Sequence, residues 1–182
     1  MFCEAEISEI PIRIAEIGTS QEILLWLEGR RLDSELLGFA ATVVAAQTFE
    51  KEPGLAHATM RGAAAFFTGF VAAVCLSREG GTFAASDTSR LLARASAVVA
   101  QRGRHAVIAD CCDLGAVARI EEAYALELLQ EAPIRGRVAR QHFRKALVRL
   151  FESGLATGLV VTSSASTSQI GWSVGGDALP SA

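Results

Sequence analysis

Through most of the chain apolar residues recur at spacings of three and four, and that period predicts amphipathic helices. Leu36, Leu37, Ala40, Val43, Val44 and Gln47 share one such face. So do Leu91, Leu92, Ala95, Val98, Val99 and Arg102, with Arg90, Arg94, Gln101 and Arg104 on the other side. Stop and start signals bound these runs. Thr19-Ser20-Gln21-Glu22 reads as a capping box, in which the threonine hydroxyl accepts an amide and the glutamate reaches back. Asp33 or Ser34, Ser86 or Asp87, and Asp113 are further N-cap candidates. Pro53-Gly54, Gly80-Gly81, Pro133 and Gly154 punctuate the chain. Helices are therefore predicted from Ser20 to about Gly29, from 34 to 52, 56 to 76, 87 to 104, 114 to 130 and 135 to 153.

Most of the predicted helix over 56–76 falls within Gly62 to Ser77, an uncharged run of about 16 residues bracketed by Arg61 and Arg78. A spanning helix needs roughly 20 apolar residues, and much of this run is Ala and Gly. It reads as the central core helix, with Gly62, Ala65, Gly69 and Ala73 allowing close approach and Phe66, Phe67 and Phe70 supplying bulk. Leu92, Val99, Val43 and Phe67 are expected in the core.

Two places depart from the helical period. Ile10, Ile12 and Ile14 alternate with Pro11, Arg13 and Ala15, which predicts a short edge strand. Thr157–Thr162 and Gln169–Val174, joined by a Ser-rich loop, predict a hairpin. His105–Asp110 is too short for periodicity to choose between strand and helix. The fold expected is mainly α: about six helices around the Ala/Gly/Phe-rich central one, with a minor β element, a helix-dominated α+β arrangement. Its parts are a helical domain over 1–154, the hairpin over 155–174 and a flexible tail over 175–182.

The 182 residues suffice for one domain with a real core. At 51% hydrophobic and 20% charged, the composition is that of a folded chain. A net charge of −3 recommends neither nucleic acid nor a membrane surface as partner. The acidic opening, Met1 to Glu9, carries no secretory pattern, and the 4 Cys suit a reducing cytoplasm. Lys occurs only at Lys51 and Lys145 against many Arg, and Ala is abundant, as in GC-rich bacterial coding sequences.

Three groups of residues could carry chemistry. His105, Cys111 and Cys112, with Asp110 and Asp113, are weak catalytic candidates: a thiol before a helix N-terminus is a better nucleophile. Adjacent cysteines do not have zinc-ligand spacing, so no metal site is expected. His57 and Arg61, one turn apart, are weak ligand-binding candidates. Arg137, Arg140 and Arg144 form a stripe that could bind anions. The preceding helical segment is acidic, with Asp110, Asp113, Glu121, Glu122, Glu127 and Glu131 against Arg119, so an antiparallel pair would neutralise the stripe internally.

The chain contains no Gly-x-Gly-x-x-Gly, phosphate loop, Gly-x-Ser-x-Gly or His-Glu-x-x-His. The first reading is a non-enzymatic interaction or adaptor subunit in a homo-oligomer or with a protein partner, cytoplasmic and without a membrane span. An enzyme or ligand-binding protein using the cysteine or His57/Arg61 groups comes second. A nucleic-acid regulator using the arginine helix comes third. The sequence does not say whether a cofactor is bound, or which.

Overall fold

The computed structural model describes residues 2–17, 19–51, 54–77, 87–130, 132 and 134–170. These residues form helices and connecting turns, with no strand among them. The helices are α1 (Glu4–Ser8), α2 (Ile10–Ile17), α3 (Ser20–Gly29), α4 (Ser34–Glu50), a 3-10 turn (Ala56–Ala58), α5 (Thr59–Leu76), α6 (Thr88–Arg102), α7 (Arg104–Cys111), α8 (Leu114–Gln130) and α9 (Arg137–Ile170).

The caps act as their side chains dictate. Thr19 and Glu22 close a capping box on α3. Asp33 accepts the amides of Glu35 and Leu36, Asp87 that of Arg90, and Asp113 that of Ala116. These bonds satisfy amides with no partner inside their own helix.

Both expected β elements are corrected. Ile10, Ile12 and Ile14 lie on a helix, because Pro11 falls in its first turn, where a missing N–H costs nothing. Ile7 and Ile10 are fully buried and Ile14 half-buried, a spacing of three and four that outweighs the alternation. The Arg13 guanidinium then donates to the Cys75 carbonyl, 2.8 Å away, at the end of α5. At the other end, Gly154 does not stop α9, and Thr157–Thr162 is helical. Residues 171–174 of the expected hairpin, the 175–182 tail and the Gly80-Gly81 stop lie outside the described residues. His105–Asp110 is helical within α7.

The centre is a pair of helices, α5 and α9, rather than one. An added Cβ on Gly62 would meet Leu150, one on Gly69 would meet Phe151 and Leu155, and one on Gly158 would meet Phe70 and Ala73. Residue numbers rise together on both helices, so they run parallel. A Cβ on Gly154 would lie 1.9 Å from the Phe66 carbonyl oxygen. Backbone therefore rests on backbone, and glycine is a steric requirement there.

The other helices wrap this pair. Leu37, Ala41, Ala45 and Phe49 bury the inner face of α4, with Phe49 5.8 Å from the Phe143 ring. Val107, Ile108, Cys112, Ala116 and Val117 bring α7 and α8 onto the far side. Leu92 is buried as expected, and Val99 and Phe67 pack half-buried against the core. Val43 instead faces outward, 37% exposed.

Candidate functional site

The residues singled out in the sequence do not converge. His105, at the start of α7, turns to α9, where its Nε2 lies 2.8 Å from Glu152 Oε1. Cys112 is buried in the core and Cys111 half-buried. The expected activation of these thiols is reversed. Burial pushes Cys112 up to about 12, with Cys111 adding to it, and burial and Asp110 raise Cys111. Cys75, in α5, is likewise pushed up to about 11 by burial. Among the described residues no three His, Cys, Asp or Glu side chains gather as metal ligands.

His57 is exposed on the 3-10 turn and Arg61 stands on the first turn of α5. Neither lines the clefts described below. The arginine stripe turns inward: Arg144 pairs with Glu122 of α8, and Arg140 donates to the Leu129 carbonyl, 3.4 Å away, in the last turn of α8. A cation at a helix C-terminus is electrostatically favoured. Arg137 is exposed.

Two buried carboxylates form a polar cluster with Arg104 and His105. Glu152 of α9 pairs with Arg104 and His105 of α7, while Glu121 of α8 is only 8% exposed, with Oε2 lacking a hydrogen-bond partner among the described residues. Burial and the nearby Glu152 push the Glu121 carboxyl up to about 7, partly offset by Arg104. A carboxyl titrating near neutrality can serve as an acid or base. None of these four residues lines the three clefts described here, so the cluster acts on the packing of α7, α8 and α9. Its signal in the sequence was an acid at Glu121 on the buried face of α8, in step with Val117 and Ala125.

One helix face and two of the clefts are mainly apolar. The outward face of α4 carries Leu36, Phe39 and Val43, with Phe39 69% exposed. No charge interrupts α4 between Leu36 and Phe49. A cleft of about 620 Å³ opens between α2 and α8, floored by Phe151 and Ala116. A second, of about 390 Å³, lies between α3, α4 and α5 and is lined without a charged residue. A third, of about 400 Å³, is lined by Cys111, Asp110, Arg94, Arg102 and the hydroxyl residues Ser163 and Ser164. Of the sequence-predicted catalytic residues, Cys111 lines one of these three clefts, and burial raises its thiol away from activation.

Comparison of the chain with protein-family models, with curated proteins and with solved structures finds no match.

Proposed function

We propose that this chain is a non-enzymatic interaction subunit that pairs with a second copy of itself through the outward face of α4. The observation that carries the reading is the Leu36–Phe39–Val43 stripe, spaced at three and four on the face opposite the buried Leu37, Ala41 and Ala45. A helix apolar all round belongs inside a core, and α4 is covered on one side only. A contiguous apolar patch on a folded surface marks an association site.

The occupant follows from the stripe's own symmetry. In an antiparallel pair about a twofold axis between Phe39 and Val43, Phe39 rests on the partner's Val43 and Leu36 on the partner's Ala46. Glu35 then faces the partner's Gln47, so no like charges oppose. Such an isologous contact closes at two copies. The enzyme reading recedes because His57, Arg61, His105 and Cys111 share no cleft described here. A cytoplasmic setting fits the four free thiols.

Light scattering at micromolar concentration tests this. The expected mass is twice 19.2 kDa, and Phe39→Glu, an exposed position, yields a folded monomer. A wild-type monomer sinks the proposal, as does a dimer indifferent to Phe39→Glu.

A further inference from the structure

The two apolar clefts are neighbours. Thr68 of α5 and Tyr124 of α8 line both, and their hydroxyls are hydrogen-bonded at 2.9 Å. They form a polar waist between two apolar chambers along one flank of α5. The larger chamber, at about 620 Å³, lies within the roughly 300–1,000 Å³ of small-molecule sites. Tyr124 is steadied there by the Phe151 ring, 5.9 Å away.

The charges are unevenly placed. At the mouth of the larger chamber stand Arg119 and, two turns along α8, Glu127. The smaller chamber, bounded by Leu24, Met60 and Phe67, has no charge. An anion is therefore drawn to the Arg119 end and turned away from the Glu127 end. Among the described residues Arg119 pairs with Glu4, in an ion pair exposed on both sides. Exposed pairs of this kind are weak, so a ligand carboxylate exchanges readily with Glu4. Met60, 72% exposed, marks the open far end.

We infer that the two clefts form one site for a long-chain monocarboxylate, its carboxylate at Arg119 and its hydrocarbon chain passing Thr68 and Tyr124 toward Met60. The hydroxyl pair parts to admit the chain, and each hydroxyl keeps its capacity to bond with water. The site is distinct from the α4 pairing stripe: Gly38 and Ala41, which line the smaller cleft, point away from Leu36, Phe39 and Val43, and Thr42 lies at the border between the two.

The test is displacement of a dansyl-labelled fatty acid from the full chain by oleate and by oleyl alcohol. Saturable binding is expected, with oleate displacing the probe more strongly than the alcohol. Arg119→Ala should weaken oleate by about fivefold, the worth of one exposed charge contact, and leave the alcohol unchanged. Ala123→Trp, an exposed position on the wall of the larger cleft, should block both ligands at an unaltered melting temperature. Absence of saturable binding to the wild type overturns the inference. Equal affinity for acid and alcohol, or an Arg119→Ala protein that still prefers oleate, overturns the head-group assignment and with it the site. Neither outcome depends on the oligomeric state measured for Phe39→Glu.

Discussion

Glu121 is a buried carboxyl held well away from its ordinary state. Its carboxyl titrates near 7 in the fold against an ordinary 4.5. Between those values the unfolded chain has released the proton and the folded chain still holds it. The folded state binds more protons, so stability is full below about 4.5 and declines as pH rises through 7. Glu121→Gln keeps the shape without the charge. It should add about 1–2 kcal/mol at pH 8 and nothing at pH 4, read by denaturant unfolding at both. An equal effect at the two pH values would show that charge is not what the site resists. The sequence displays this carboxylate among five other acids, and only its step with Val117 and Ala125 sets it apart. Enclosure comes from α7 and α9, 17 or more residues away on one side and 31 on the other for Arg104 and Glu152. For the cysteines, position beside a helix start was legible and burial was not, so the direction of the shift was misjudged.

At the scale of elements, local signals were legible where the chain answers to its near neighbours. Thr19, Asp33, Asp87 and Asp113 cap the helices they were expected to cap, because a cap is a contact over two or three residues. They misled where packing decides. Gly154 and Gly158 with Val160, Val161 and Thr162 look like a turn and a strand, yet all are helical, and the two glycines are where α9 meets α5 most closely. Gly154→Ala and Gly38→Ala separate the two roles of glycine. The first drives a Cβ into the Phe66 carbonyl and should cost about 2 kcal/mol or more. The second has nothing within 4 Å and should gain up to about 1 kcal/mol from helix propensity. Thermal melts of the pair check this, and two variants moving together would contradict it. The arginine stripe belongs here too. With Arg144 on Glu122 and Arg140 on the end of α8, wild-type protein should show no salt-steep affinity for duplex DNA. A slope of log K on log salt near about −2.7, lost in the Arg137/Arg140/Arg144→Ala protein, would restore the nucleic-acid reading.

For the whole molecule, Ala56–Leu76 and Arg137–Ser164 are each long and apolar enough to cross a membrane, and two thirds of each apolar window is buried inside the fold. In a helix-wrapped core such segments are expected to be apolar on most sides. Cell fractionation should leave the protein in the aqueous supernatant. Recovery only with detergent would mean that the α5–α9 pair serves lipid rather than the interior. The first of these helices was legible as a core element from its uncharged run. The second was not, because its basic first half, from Arg137 to Arg149, disguises the apolar half that follows.

Parallel alignment of α5 and α9 also sets an order of events during synthesis. The partner of Gly62 is Leu150 and that of Phe66 is Gly154. At about 5–20 residues per second, roughly 4–15 s separate the emergence of Leu76 from that of Leu150. Throughout that interval the nascent chain presents an apolar helix whose mate has not been made. Its early helices shield one side, through Ala45 and Phe49 of α4. The other side is left to whatever chaperone attends the ribosome exit, and a ribosome stalled before codon 150 would release a chain unable to close its own core.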